Sequence, residues 1–154
     1  MCLFVCFKGG DAIGQTVLVV NMYNHSLDHF IEFLRKHPQF RIIEDSSKQD
    51  SKVIDACREA GADILLIGIS SVKGAADSRM KLIEHMREAM PDCKIVLYAD
   101  TEMSASNALT VKHLYGYRYV DEFFFPSCSF EYTVLKLETL WSYKELRDRQ
   151  EHKN

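Results

Sequence analysis

The side chains able to do chemistry are scattered along this 154-residue sequence, not grouped. The five cysteines, Cys2, Cys6, Cys57, Cys93 and Cys128, form no Cys-x-x-Cys pair, and the six histidines give no His-x-x-x-His pair beside them. Zinc and other metals are therefore not expected, and the odd cysteine count reads as reduced thiols in a cytoplasmic protein. No Gly-x-Ser-x-Gly run or Cys–His pairing supports a covalent nucleophile. The segment Lys8-Gly-Gly-Asp-Ala-Ile-Gly14 is Gly-rich but lacks the closing Gly-Lys-Ser/Thr of a phosphate loop, and it leads into a strand, so it reads as a turn. Asn21 with Asp100, lined by Ser70 or Ser71, is the combination that could hold a weak cation. His25 is a lone ionisable group near the same place. Both read more simply as polar residues in strand-end loops. No enzyme activity and no cofactor are expected.

The elements that must position these residues alternate in kind. Thr16–Val20 is a short, wholly apolar run, typical of a strand covered on both faces. Leu27, Phe30, Ile31 and Leu34 follow at helical spacing, with Ser26 as the expected N-cap and His37-Pro38 as the stop. Phe40–Ile43 leads to a helix with Val53, Ile54, Cys57 and Ala60, closed by Gly61 as a left-handed cap. Ile64–Ile69 precedes a helix over roughly Asp77–Ala89 that turns Met80, Ile83 and Met86 or Arg87 inward. Ile95–Tyr98 precedes a helix from near Ser104 with Ala108, Val111 and Leu114 or Tyr115 inside. The fifth strand is expected over Val120–Phe125, and a last helix from near Ser129 carries Phe130, Val134, Leu137 and Trp141 on one stripe.

Five such units predict one α/β domain: a five-stranded parallel sheet in the order 2-1-3-4-5 with helices on both faces. Residues 16–141 form it, with 1–15 as an N-terminal extension and 142–154 as a polar helical extension of mixed charge. The apolar stretch Met1–Phe7 is far shorter than the roughly 20 residues a membrane span takes, so no membrane association is expected. A formal net charge of −3 with interspersed signs argues against a nucleic-acid surface built on bulk basicity.

At this point the sequence resembles the receiver domain of two-component response regulators. The matching stretches are Val17–Val20, Ala62–Ile69, Met90–Ala99 and Val120–Pro126, in the family's order and near its spacing. The resemblance implies a CheY-like, flavodoxin-like fold and a signalling role. It also implies a site: two acids after the first strand hold magnesium, and an aspartate ending the third accepts a phosphoryl group. A Ser or Thr after the fourth and a Lys after the fifth contact the phosphoryl oxygens. Here Asn21-Met22 stands for the acid pair, Gly68 for the acceptor, Ala99 for the hydroxyl residue and Pro126 for the lysine, with Asp100 one position past the fourth strand. A pseudo-receiver without phosphorylation chemistry is therefore expected. The Lys8–Gly14 segment shares only Gly14 with the Asp-x-His-x-x-Gly loop of cobalamin-binding domains.

Two consequences follow from that pattern. Receivers commonly self-associate through the fourth helix, fifth strand and fifth helix, where Tyr115, Tyr117 and Tyr119 lie; a homodimer through that face is the expected partner arrangement. The competing expectation is a small-ligand domain, in which Gly68 and Ala99 leave a roomier crevice at the strand C-termini.

Overall fold

Apolar β-branched runs pair into the sheet, and amphipathic helices cover both of its sides. The computed structural model describes residues 14–21, 24–47, 49–100 and 105–140. In chain order the elements are β1 (Gln15–Val20), α1 (His25–Arg35), β2 (Phe40–Asp45), α2 (Asp50–Ala60) and β3 (Ile64–Ile69). One 3-10 turn (Asp77–Arg79) then enters α3 (Met80–Ala89), followed by β4 (Lys94–Ala99), α4 (Ala105–Gly116) and β5 (Glu122–Phe124). The last helix, α5, runs over 130–140. The strands are all parallel in the order β2-β1-β3-β4-β5, with Val17 opposite Ile64, Ile64 opposite Lys94 and Val96 opposite Glu122. This is the predicted doubly wound sheet.

Strand periodicity divides the core in two. Leu18, Val20, Leu65, Ile67, Ile69, Ile95 and Leu97 face α2, α3 and α4, where Val53, Cys57, Leu82, Ile83, Met86, Val111 and Leu114 meet them. Val17, Val19, Ile64, Leu66, Val96, Tyr98 and Phe124 face α1 and α5, against Leu27, Phe30, Ile31, Leu34, Val134 and Leu137. Each fully buried aliphatic side chain contributes on the order of 2 kcal/mol. Gly61 ends α2 at φ +63°, and its N–H reaches the Arg58 and Cys57 carbonyls, as the sequence indicates.

Four local expectations need correction. The N-cap of α1 is Asn24, not Ser26: its side chain accepts from the Leu27 N–H. The inner face of α3 is Leu82, Ile83 and Met86, with Met80 only partly buried, because the chain enters through the tighter 3-10 turn. In α4, Asn107 is buried with Val111 and Leu114 while Ala108 is only half-buried, because Asn107 finds polar partners in the core. The fifth strand is half the expected length, because the Tyr119 and Val120 N–H groups turn back to the Leu114 carbonyl at the end of α4; Phe124 is core and Phe125 is 36% exposed. Trp141, the polar extension 142–154 and the segment 1–13 lie outside the described residues. Among the described residues, no helix is long and apolar enough to cross a membrane.

Off the sheet, polar anchors fix the N-terminal strand ends. The Asp63 carboxylate accepts from the Thr16 N–H (2.9 Å), and Asp121 accepts from the Ile95 N–H (2.8 Å). Arg87 ties α3 to the same place by donating to Asp121 Oδ2 and to the Tyr119 carbonyl, both at 2.7 Å. These contacts leave the opposite, C-terminal strand ends as the place where loops can vary.

Candidate functional site

In a doubly wound sheet, ligand chemistry collects where strands end and helices begin. The resemblance places Asn21, Met22, Gly68, Ala99, Asp100 and Pro126 there. The structure brings Asn21 and Gly68 together. Ala99 is buried at the end of β4 beside Ile69, and Asp100 is half-buried just beyond it. Pro126 is half-buried in the turn after β5, which the Cys128 N–H closes by donating to the Phe125 carbonyl (2.9 Å). Met22 lies outside the described residues.

On the side where a Cβ would point, Gly68 leaves no extra room. A Cβ at this position would lie 2.7 Å from Asn21 Oδ1 and 2.8 Å from Leu27 Cδ2, inside van der Waals contact. Neighbours have moved into the space that an acceptor side chain would occupy. Glycine is the residue that lets them approach, so the missing side chain is a packing requirement and not a vacancy.

Asn21 is held firmly in that position. Its Nδ2 donates to the Asn24 carbonyl (3.0 Å) and to Asp28 Oδ1 (2.8 Å), while its Oδ1 accepts from the Asn24 N–H (3.2 Å). Both ends of the carboxamide are thus committed to the start of α1. His25 projects into solvent in the first turn of α1, 3.8 Å from Asp28.

Asn24, which the sequence reading passed over, is the structural centre of this end of the sheet. It is fully buried. Its Oδ1 caps α1, and its Nδ2 donates to the Tyr98 carbonyl (2.9 Å) and the Ile69 carbonyl (3.2 Å) at the ends of β4 and β3. One side chain therefore joins three elements. Asn107 does similar work on the other face, accepting from the Ala76 N–H (3.2 Å) and donating to the Val72 carbonyl (2.7 Å), so that α4 pins the β3–α3 loop.

Tyr98 stacks on Phe30 with ring centroids 5.3 Å apart, and its buried hydroxyl makes no hydrogen bond among the described residues. Burial pushes its phenol above the ordinary value of 10.0, and the Cys128 thiol adds to the push. Tyr98→Phe is expected to stabilise the protein by about 1 kcal/mol, because an unsatisfied polar group leaves the core. The unfolded phenol ionises first as pH rises, so the native protein loses stability above about pH 10. Urea melts at neutral and alkaline pH should show a smaller alkaline loss in Tyr98→Phe; an unstable variant at neutral pH would mean that the hydroxyl has a partner.

The thiols of Cys57, Cys93 and Cys128 are not in disulfides. Cys57 is hydrogen-bonded to Cys93 in the core beneath α2, which lowers its pKa against the opposing effects of burial and of Asp45.

No protein-family model matches the chain, and no curated protein matches it significantly. Solved structures do. The CheY-like protein TadZ from Pseudomonas aeruginosa PAO1 superposes with a TM-score of 0.63 at 15% identity, over 82% of this chain and 99% of that one. The signal receiver domain of a LuxO repressor protein from Vibrio parahaemolyticus gives 0.65 at 9% identity, over 90% and 98%. A cobalamin-binding protein from Desulfitobacterium hafniense DCB-2 gives 0.60 at 14% identity, over 82% of this chain and 58% of that one. At these identities the likeness establishes the fold: this chain has the CheY-like, flavodoxin-like architecture of response-regulator receiver domains.

Proposed function

We propose that the protein is a receiver-like regulatory module of a two-component type signalling system, working in the cytoplasm by protein contact, without aspartyl phosphorylation and without enzyme activity of its own. The observation that carries this reading is the filled acceptor position. A working receiver needs a carboxylate where Asn21 Oδ1 and Leu27 here press against Gly68. An acceptor, its magnesium and an incoming phosphoryl group all need space and charge at that point, and the place holds a committed carboxamide and an apolar side chain.

The contact surface is supported by where apolar side chains meet solvent. Among the described residues, the exposed large hydrophobics apart from Val72 all belong to α4, β5, α5 and their connections, including Leu109, Tyr115, Tyr117, Tyr119, Tyr132 and Leu135. Tyr115 packs edge-on against Phe123 (5.1 Å), and Phe123 against Phe125 (5.3 Å), making a continuous aromatic row along the edge strand. Aromatic rows of this kind favour interfaces, and the occupant we assign is a second copy of the chain.

Two measurements test the reading. Acetyl phosphate with magnesium should leave the intact mass unchanged; a stoichiometric phosphoryl adduct removes the proposal. Light scattering should report a dimer that becomes monomeric in the Tyr115→Asp/Tyr119→Asp variant. A monomer at all concentrations, or a dimer indifferent to both charges, rules out this face as the homodimer surface.

A further inference from the structure

Beside the filled acceptor position, a crevice of about 330 Å³ opens along the β3–α3 loop. Its walls are Gly68, Ser70, Val72, Lys73, Gly74, Ala75, Ser78 and Arg79, all from the chain between the end of β3 and the start of α3. In a protein with a formal net charge of −3, this hollow brings together two cationic side chains and two hydroxyls. We propose that it binds a small organic phosphate, with Arg79 and Lys73 as counter-charges and the Ser70 hydroxyl and loop N–H groups as hydrogen-bond donors.

The loop is built for close approach. Gly74 sits at φ +83° with open space where a Cβ would stand, so a ligand can reach the backbone there. The N–H groups of Lys73 and Gly74 donate to nothing among the described residues, whereas those of Val72, Ala75, Ala76, Ser78 and Arg79 are all satisfied within the loop or by Asn107. Consecutive unsatisfied N–H groups beside cationic side chains form an anion cradle. The loop is also held in place, because Asn107 bonds both its Val72 carbonyl and its Ala76 N–H. Pre-set geometry of this kind reduces the ordering cost of binding.

Neighbouring acids do not cancel the field. Asp77 is turned aside, accepting from the Thr110 hydroxyl at 2.8 Å. Asp50, on α2, interacts with Arg79 without forming an ion pair within 4.0 Å, since no described residue bridges Arg79 or Lys73 at that distance. Arg79 is half-buried, and burial works against its charge. A guanidinium in that position gains more from a bidentate phosphate than an exposed one does. Val72 and Ala75 supply apolar wall for the organic part of the ligand. The volume lies at the small end of ligand pockets, which suits a compound of mononucleotide size or less.

The proposal does not depend on the receiver-like reading, and the two fail separately: an acetyl phosphate adduct says nothing about this crevice, and an empty crevice leaves the acceptor filled. The test is a titration of the full chain with inorganic phosphate, pyrophosphate and adenosine 5′-monophosphate at constant ionic strength, followed by amide chemical shifts. Saturable shifts of the Lys73 and Gly74 amides are expected for at least one of these probes. The affinity should fall about tenfold or more in Arg79→Gln and further in Lys73→Gln/Arg79→Gln, in line with loss of charge-assisted bonds. Lys73 is exposed and Arg79 half-buried, and unchanged melting temperatures will establish that the variants are folded; should Arg79→Gln melt early, Lys73→Gln alone carries the comparison. Linear, non-saturating shifts with every probe, or equal affinity in the folded variants, overturns the proposal.

Discussion

Gly68→Ala is expected to lower the unfolding free energy by about 2 kcal/mol, and Gly68→Asp by more. The added Cβ meets Asn21 Oδ1 at 2.7 Å and Leu27 Cδ2 at 2.8 Å. Side-chain ends can often swing away from such a clash, but these two cannot do so cheaply. Leu27 is fully buried among the side chains between the sheet and α1, and Asn21 is fixed by three hydrogen bonds. Aspartate adds a second penalty, since its larger, charged side chain would be pressed against the Asn21 amide oxygen. Urea denaturation measures the loss, and a double-mutant cycle identifies its cause. Asn21→Ala combined with Gly68→Ala should cost less than the sum of the single changes by about 1 kcal/mol, because the first removes what the second collides with. Additive effects would show that the two residues do not compete for the same space. On the reading given above, Gly68→Asp also stays inert to acetyl phosphate, because restoring one residue does not recreate the space around it.

The fold was legible because the strands are buried on both faces and therefore read as uninterrupted apolar runs, as in Ile64–Ile69. Helical stripes such as Leu27, Phe30, Ile31 and Leu34 were equally plain. What could not be read is what depends on neighbours distant in sequence. Gly68 announces the loss of its own side chain, but not that Asn21 and Leu27 occupy the space. Val120 is apolar, which suggested strand, yet its N–H turns back to the Leu114 carbonyl at the end of α4 and only Glu122–Phe124 join the ladder. Nothing local to Asn107 signals that the Val72 carbonyl and Ala76 N–H await it. The Lys73 and Arg79 crevice was missed for the same reason: its residues are an unremarkable polar loop until β3, α3 and α4 fold it.

Asn24→Ala should have the largest effect of any single polar substitution, about 3–4 kcal/mol of unfolding free energy, out of a total that for domains of this kind is about 5–15 kcal/mol. Local capping explains only part of this. Losing an Asn N-cap costs about 1 kcal/mol, and that share follows from the bond to the Leu27 N–H. The remainder comes from the two bonds that Asn24 Nδ2 adds, as a second donor, to the Ile69 and Tyr98 carbonyls already paired in the sheet, and from the buried space that alanine would leave unfilled. Sequence could have offered Asn24 as a cap, since Asn and Ser are equally good there, but not as the bridge to β3 and β4. Asn24→Ser separates the two roles, because a hydroxyl can cap α1 but is too short to reach both carbonyls. Its stability should fall between those of the wild type and Asn24→Ala, with about 1 kcal/mol recovered by the cap. If Asn24→Ser were as stable as the wild type, the bonds to Ile69 and Tyr98 would carry no net stability, and Asn24 would be a helix cap alone. If the predicted order holds, one asparagine ties the start of α1 to the C-terminal ends of β3 and β4, the place where a receiver keeps its chemistry.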